Sequence, residues 1–180
     1  MSQIKVNSIV PVAGLSGGAS GGIIQIKQTV KTDTSSVTAA YNSPADLGIS
    51  CAITPSSTSS KILVDCNLVV AGNVPFGMYF WLVRGSTQIL LSDASGSRTR
   101  SSKYITTYWE GTNASNSYKV GDLNIKYLDS PATTSATTYK IQAGSWNTNA
   151  IYLNRCHTNN DGASYDGNST STITLYEVSG

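Results

Sequence analysis

Residues 54–72 read TPSSTSSKILVDCNLVVAG, a turn rich in proline and serine followed by an apolar run. Pro55 and the serines interrupt regular structure, as turn residues do. Across residues 62–71 apolar side chains occupy both faces of an extended chain, apart from Asp65 and Asn67. A continuous apolar run of this length is typical of a central strand covered on both sides. The stretch therefore predicts a β-protein built around this strand.

Short segments with alternating or apolar β-type patterns lie on either side of this run. We predict a hairpin around Gly85 and Ser86, and a pair of half-strands broken near Gly121 and Asp122, because glycine interrupts a strand pattern. No segment shows helical periodicity over a length sufficient to predict a helix. Eight or more short strands predict an all-β fold, a jelly roll or β-sandwich, as the head of the protein. The segments are residues 21–32, 48–54, 76–93, 103–111, 116–130, 137–146, 150–155 and 171–180.

The first 22 residues differ from the rest, since they contain no aromatic and no acidic residue. They form one short strand pattern followed by a glycine and serine spacer, which behaves as a flexible link. A lone strand leaves its backbone groups paired only with water, so we expect it to pair with another protein or with symmetry copies of itself. We predict two parts: an anchoring strand and spacer over residues 1–22, and a β-sandwich head over residues 23–180.

The charge of the chain excludes some functional classes. The formal net charge is +2 and charged residues make up only 12% of 180 residues, too little for binding nucleic acid through phosphate contacts. No apolar run approaches the roughly 20 residues of a membrane span. The N-terminus lacks the basic region and the unbroken apolar region of a secretory signal. We expect a protein that is made in a cytoplasm and either stays soluble or leaves by a route unrelated to secretion, with no nucleic acid partner and no membrane insertion.

Few residues offer catalytic chemistry. The single histidine, His157, has Asp161 and Asp166 nearby, but a Ser-His-Asp arrangement also needs a nucleophile on a strained turn, and no GxSxG motif occurs. Glu110 beside Trp109 resembles a sugar subsite, yet glycoside hydrolysis needs two facing acids. We predict that the protein is not an enzyme, with no catalytic residue and no cofactor.

Cysteines and an oxygen-rich loop raise the question of cross-links and metals. Cys51 and Cys66 lie in apolar runs joined by a turn, so they could face each other across a hairpin, but buried free thiols are favoured for these and for Cys156. Residues 159–168, NNDGASYDGN, offer the ligands that calcium prefers, without the EF-hand spacing or its glutamate. An ordinary exposed turn is the favoured interpretation, and no metal is predicted.

Aromatic residues beside polar loop residues give the better indication of binding, because exposed rings stack on sugar rings. Arg98, Arg100 and Lys103 form a basic loop that could meet phosphate or sulfate, or could simply keep an edge strand soluble. Residues 79–81, Tyr-Phe-Trp, are expected to pack in the core or at an interface. The candidate receptor or glycan contacts are Arg100, Trp109, Trp146, Asn147, Tyr165 and Asp166.

Several stretches together resemble small fibre or knob proteins of tailed bacteriophages, particularly phages of marine bacteria. The most specific are the IKVNSIV start and the TPSSTSSKILV turn and strand; the others are common β-sequence. The resemblance covers nearly the whole chain. It is carried by SQIKVNSIVPVAG (2–14), GGIIQIKQTVKTD (21–33), ITPSSTSSKILV (53–64), TTYKIQAGSW (137–146) and ITLYEV (173–178).

The resemblance implies homotrimers whose heads are jelly rolls similar to the C1q/TNF class and whose N-termini attach to the virion. It supplies no catalytic residues. The chain departs from long tail fibres because it has neither coiled-coil heptads nor a repetitive β-helix as a shaft. A trimer also has a physical reason, since residues 60–72 and 77–83 are too apolar on both faces for a sandwich with one exposed side. The implied anchor residues are Ile4, Lys5, Val6, Asn7, Ile9 and Val10.

These observations predict a virion structural protein, a trimeric short fibre or knob that contacts a host surface glycan or protein with its head. One alternative is a capsid decoration or tail adaptor protein that binds only other virion proteins. A polysaccharide depolymerase is a further, less favoured alternative. The protein is expected in the virion after synthesis in the cytoplasm of the bacterial host.

Overall fold

A computed structural model describes residues 22–72, 77–106 and 118–180 of the chain. These residues form β-strands joined by turns and loops, and no α-helix occurs within the described ranges. The predicted anchor and nearly all of the spacer lie outside them. The strands are β1 (Ile23–Lys31), β2 (Ser35–Thr38), β3 (Ala45–Ile53), β4 (Lys61–Gly72), β5 (Met78–Arg84), β6 (Thr87–Ile89), β7 (Lys103–Ile105), β8 (Gly121–Asp129), β9 (Thr137–Ser145), β10 (Ala150–Leu153) and β11 (Ser171–Val178).

The strands make two antiparallel sheets that pack face to face. The six-stranded sheet has the order β1-β11-β4-β10-β2, with β8 also paired to β4. The five-stranded sheet has the order β3-β9-β5-β6, with β7 also paired to β5. Alternate side chains of both sheets meet in one core, in which Ile62, Phe80 and Ile141 are completely buried. The prediction of an all-β sandwich is confirmed, and its two sheets are compatible with a jelly roll.

Strand β4 is central, as its sequence predicts, because β8, β10 and β11 all pair with it. Its inward side chains, among them Val64 and Cys66, are fully buried. On its other face Leu63 and Val69 are half-buried, while Asn67 is exposed. In the described part of a single chain only the inner face meets a second sheet, so cover of the outer face stays a prediction that depends on the trimer.

Two local predictions have different outcomes. Strands β5 and β6 form the predicted hairpin, in which Gly85 takes the positive φ of 60° that a tight turn favours. The predicted pair of half-strands is only partly right: β8 runs as one strand from Gly121 to Asp129, whereas residues 118–120, the described part of the first half, form no strand. Gly121 begins this strand opposite Val70 and does not interrupt it.

The cysteines are buried free thiols, which confirms the favoured interpretation. Cys51 and Cys66 do not face each other across a hairpin, since β3 and β4 belong to opposite sheets. Both side chains point into the core between the sheets. Burial, with smaller effects of Asp65 and Cys51, raises the pKa of Cys66 to about 12.

Asn154 lies at a junction along one edge of β4, the point at which the strand paired with this edge changes. Strand β11 pairs with β4 up to Asn67, and β10 takes over at Val70. Between them, the backbone N–H of Val69 donates to Ser171 Oγ at 3.1 Å, and its carbonyl accepts from the Asn154 N–H at 2.9 Å. Both polar groups of Val69 are satisfied although no strand pairs with it on this edge.

The side chain of Asn154 also binds the segment that connects β1 to β2. Its Nδ2 donates to the carbonyls of Lys31 at 2.8 Å and Asp33 at 2.9 Å, and its Oδ1 accepts from Ser171 Oγ. Asn154 is fully buried and has a φ of 65°, which asparagine tolerates better than most residues. One side chain therefore joins the ends of several strands.

The two ends of the sandwich are distinct. At one end Gly22 and Ser179 are hydrogen-bonded through the Ser179 N–H and the Gly22 carbonyl at 2.9 Å. At this same end Arg84 Nη1 donates to both carboxylate oxygens of Asp129 at 2.9 Å, and the Tyr139 hydroxyl donates to Oδ2 at 2.6 Å. These bonds tie the two sheets together. Burial and the hydrogen bond to Asp129 raise the pKa of Tyr139.

Glu177 is a buried carboxylate at the same end. It is fully buried, yet it accepts hydrogen bonds from the Ser56 N–H and hydroxyl at 2.6 Å each, and from Gln25 Nε2 at 2.6 Å. Burial alone would raise the pKa of Glu177, but the hydrogen bonds from Ser56 and Gln25 outweigh it and hold the pKa at about 2, below the ordinary value of 4.5.

The Asn154→Ala substitution tests the junction. It removes three side-chain hydrogen bonds, leaves the buried Ser171 hydroxyl without its acceptor and places alanine at a positive φ, so we expect a loss of about 3 kcal/mol in the free energy of unfolding. Urea denaturation measures it. The control is Asn124→Ala on the outer face of β8, where the side chain is exposed and a change within about 0.5 kcal/mol is expected. Equal stability of the two variants would contradict the role of Asn154.

The Glu177→Gln substitution tests the buried carboxylate. Because the unfolded chain takes up a proton near the ordinary pKa of 4.5 and the folded chain only near 2, this carboxylate stabilises the fold above pH 4.5, and the stabilisation is lost as pH falls towards 2. Urea denaturation at about pH 7 and about pH 3 should show a large stability deficit of the variant at the higher pH and a smaller one at the lower. Asp93→Asn, in an exposed loop, is the control. A deficit independent of pH would contradict the assignment.

Candidate binding site

The outer face of the five-stranded sheet carries a row of aromatic side chains. Along β5 the side chains of Phe80 and Leu82 point into the core, so Tyr79 and Trp81 point outward. The pairing of β7 with β5 places Tyr104 opposite Tyr79. The bridge between Ala40 and Ser145 brings the segment after β2, which carries Tyr41, alongside the end of β9, next to Trp146.

Four of these rings form a continuous surface, which we call the aromatic strip: Trp146, Tyr41, Tyr79 and Tyr104. Trp146 stacks on Tyr41 with centroids 5.0 Å apart and planes 15° apart. Tyr41 lies 5.9 Å from Tyr79, and Tyr79 lies 4.9 Å from Tyr104. Trp146 remains 52% exposed and Tyr104 54% exposed. The strip is therefore ordered by ring contacts and still open to a ligand.

Two glycines allow the strip to form. A Cβ on Gly144 would lie 2.6 Å from the Ala40 carbonyl oxygen, so only glycine lets the chain that carries Tyr41 lie against β9. A Cβ on Gly77 would lie 1.9 Å from the Tyr104 ring. Tyr104 thus rests directly on the backbone of Gly77. The strip therefore depends on the absence of a side chain at Gly77 and Gly144 as well as on its own aromatic rings.

The loop between β6 and β7 forms one wall of the site. Trp81 Nε1 donates to the Arg100 carbonyl at 2.7 Å, and the Ser102 N–H donates to the Phe80 carbonyl at 2.9 Å. These bonds hold the loop over Trp81, which is only 2% exposed. Trp81 is therefore buried in the chain itself, as its apolar strand predicts, while Tyr79 stays half-buried at the edge of the loop.

A groove of about 380 Å³ opens between this loop and the strip, lined by Tyr79, Arg98, Thr99 and Tyr104. Burial and the neighbouring Tyr104 raise the pKa of Tyr79, which therefore keeps its phenolic proton. Aromatic faces, hydroxyl groups and one guanidinium thus line the groove, a combination of stacking surfaces and hydrogen-bonding groups.

The predicted contact residues do not come together in one place. Trp146 belongs to the strip, and Asn147 is exposed in the turn that follows it. Arg100 lies in the adjoining loop, where its Nε donates to the Ser92 carbonyl at 2.6 Å. Trp109 lies outside the described residues, as does Glu110, the acid of the depolymerase alternative.

Tyr165 and Asp166 belong to a different cluster, in the loop between β10 and β11. Tyr165 is 68% exposed and meets Tyr118 edge-on at 5.3 Å. Asp166 accepts from the Cys156 thiol at 2.7 Å and from the Asn160 N–H at 2.6 Å. Within the described ranges no ring contact or hydrogen bond links this cluster to the strip.

The same loop contains the oxygen-rich residues 159–168. Six residues there line a cavity of about 140 Å³, among them Asn159, Asp161 and Asp166. Hydrogen bonds from the Asn160 N–H and the Cys156 thiol lower the pKa of Asp166, and the same donors occupy the oxygens that a cation would need. In the described residues no group of three or more His, Cys, Asp or Glu side chains is placed to hold a metal ion.

His157 has no catalytic setting in this loop. Its Nδ1 lies 3.0 Å from the Tyr152 hydroxyl, and the Arg155 guanidinium lies 4.0 Å above the Tyr152 ring. No hydrogen bond joins His157 to Asp161 or Asp166 among the contacts of the described residues. The arrangement is a packed cluster of polar and aromatic groups.

Sequence reasoning missed Tyr41 and assigned Tyr79 to packing. It placed Arg98 in a basic loop that could meet phosphate or sulfate, but left it out of the contact set. One signal in the sequence was available for Tyr79. It alternates along its strand with the apolar residues Met78 and Phe80, so it lies on the face away from the core. The partners Tyr41 and Tyr104 depend on which strands pair, and the sequence does not state that pairing.

Comparisons with known proteins give no family for the chain. No protein-family model matches it, and no curated protein is significantly similar to it. The described residues contain no helix with the length and apolarity needed to cross a membrane.

Proposed function

We propose that the chain is a structural protein of a bacteriophage virion, a trimeric short fibre or knob with a jelly-roll head. Residues 1–22 attach it to the particle, and the head binds a host surface glycan through the aromatic strip. The single observation that carries the glycan proposal is the strip itself, a run of ordered and partly exposed rings beside a groove. No catalytic step is part of the proposal.

Aromatic rings suit sugars because the C–H face of a pyranose ring stacks on a π face while its hydroxyls reach hydrogen-bonding groups. Trp146 and Tyr104 offer such faces at the two ends of the strip. The groove next to Tyr104 adds the hydroxyls of Tyr79 and Thr99. Its volume of about 380 Å³ lies in the range of roughly 300–1,000 Å³ that ligand sites occupy.

The position of the strip supports a host-contact role. Residues 1–21 leave the head at Gly22, at the end where Arg84 reaches Asp129. Strand β5 runs from this end to Met78, which pairs with Ser145 beside Trp146. At a rise of about 3.3 Å per residue, Tyr79 lies roughly 17 Å along the strand from Arg84. The proposed attachment and the proposed binding site therefore lie at opposite ends of the head.

An apolar row on the six-stranded sheet supports self-association. Direct pairing across four strands aligns Ile26, Tyr176, Leu63 and Leu128 on the outer face. Ile26 is 55% exposed and Leu128 is 47% exposed, and a contiguous apolar patch of this kind marks an interface.

The charges on this face favour a second copy as the partner. Asp65 and Lys126 are ion-paired at 3.2 Å, and Lys61 and Asp122 also balance each other in number. The outer face of β4 and β8 therefore carries no net charge that would repel an identical face.

The same row keeps one alternative open. A capsid decoration or tail adaptor protein, which binds only other virion proteins, would use an apolar sheet face in the same way. The two functions differ in what the strip does, because the adaptor has no need of partly exposed rings at the end away from its attachment.

Trp146→Ala tests the glycan proposal. Loss of one stacking face should weaken glycan binding at a single head by about ten-fold or more. The measurement is binding of the full-length protein to a glycan array and to host cells. Tyr165→Ala removes a more exposed ring outside the strip and should leave binding unchanged. Binding to no glycan and no cell would favour the adaptor, and sensitivity to Tyr165→Ala alone would move the site to the other loop.

Leu128→Lys tests the trimer. The wild-type chain of 18.9 kDa should show three times this mass by light scattering, and a lysine in the apolar row should lower the mass towards that of the monomer, because its charge would be buried without a partner. Ser86→Lys, at the exposed tip of the β5–β6 hairpin on the other sheet, is the control and should stay trimeric. A monomeric wild type would refute the trimer.

A further inference from the structure

Among the described residues, Arg98 is the one cationic group that lines the groove beside the aromatic strip. Its side chain is exposed, and no hydrogen bond or ion pair engages its guanidinium within residues 22–72, 77–106 and 118–180. The backbone around it is fixed, because the Arg98 N–H donates to the Ser95 carbonyl at 3.1 Å in a turn where Gly96 has a φ of 55°. An ordered loop therefore presents a free guanidinium to the groove.

Arg100, two residues further along the loop, differs from Arg98 because it makes hydrogen bonds within the fold. Arg100 donates through Nε to the Ser92 carbonyl at 2.6 Å, and its own carbonyl accepts from Trp81. Arg100 therefore closes the loop, whereas Arg98 has no structural partner. An exposed side chain that lines the groove and makes no hydrogen bond or ion pair with the described residues is available to a ligand.

The loop as a whole is cationic. Residues 90–103 contain Arg98, Arg100 and Lys103 against a single acid, Asp93. The groove-lining residues that the structure describes include no acid that would neutralise Arg98. An anionic ligand group would meet a net positive field there, whereas a cationic one would be repelled.

We propose that the groove binds an acidic sugar, whose anionic substituent pairs with Arg98 while its ring stacks on Tyr104. This inference rests on the proposed glycan function and specifies its ligand class. A guanidinium forms two parallel hydrogen bonds with a carboxylate, a sulfate ester or a phosphate, so the shared chemistry is a planar or tetrahedral oxyanion on a sugar ring. The hydroxyls of Tyr79 and Thr99 complete the site for the sugar's own hydroxyl groups.

The test uses matched polysaccharides that differ only in charge. The probes are galacturonan as free acid and as methyl ester, galactan with and without sulfate, and mannan with and without phosphate. The wild-type protein should bind the charged member of at least one pair about ten-fold or more tightly than its neutral partner. The pair that shows the difference identifies the oxyanion.

Three variants assign the preference to Arg98. Arg98→Gln should lower affinity for the charged probe by roughly ten- to a hundred-fold and leave the neutral partner unchanged. Arg98→Lys should retain part of the preference, because a lysine keeps the charge and loses the paired hydrogen bonds. Lys27→Gln, which removes an equal charge from an exposed position on β1, should have no effect.

The outcomes separate this inference from the function on which it rests. Equal binding of charged and neutral partners, or an unchanged preference in Arg98→Gln, would overturn the acidic ligand while glycan binding that depends on Trp146 would still support the function. Failure of the wild type to bind any charged probe would also overturn the inference. Binding to host cells that Trp146→Ala leaves intact would instead count against the strip as the site.

Discussion

The edge of strand β4 imposes the constraint on which the fold depends. This strand is paired on both sides, so each of its backbone groups needs a partner inside the sheet, yet its neighbour changes from β11 to β10 at Val69. The Asn154 backbone and the Ser171 hydroxyl fill the gap, and the Asn154 side chain also holds the ends of β1 and β2. An unpaired buried peptide group is costly, so this junction fixes where four strands begin or end.

The strands could be predicted from sequence where the pattern is local. The apolar run of β4 and the hairpin between β5 and β6 follow from residues that are adjacent in the chain. The half-strand prediction at Gly121 was only partly right because a glycine that begins a strand looks the same in sequence as one that breaks it. Cys51 and Cys66 do not form a hairpin pair, the less favoured alternative, because the turn after β3 leads to the opposite sheet. The aromatic strip could not be predicted from the sequence for a related reason. Its rings come from four separate segments, those of Tyr41, Tyr79, Tyr104 and Trp146.

The two proposed surfaces lie on opposite sides of the sandwich. The apolar row lies on the outer face of the six-stranded sheet, and the aromatic strip lies on the outer face of the five-stranded sheet. A head that uses one for self-association therefore leaves the other free for a ligand. In a trimer the three strips would act together, and several weak contacts with a surface would give a much stronger attachment.

The pairing of β1 with β11 determines how the head would bear a mechanical load. Residues 1–21 join the head at Gly22, one residue before β1, and β1 is antiparallel to β11 along nearly its whole length. A pull between this point and a ligand held at the strip would run along the strands. The hydrogen bonds between β1 and β11 lie across that direction. Such a pull would shear them all at once, which resists force far better than opening them one after another from an end.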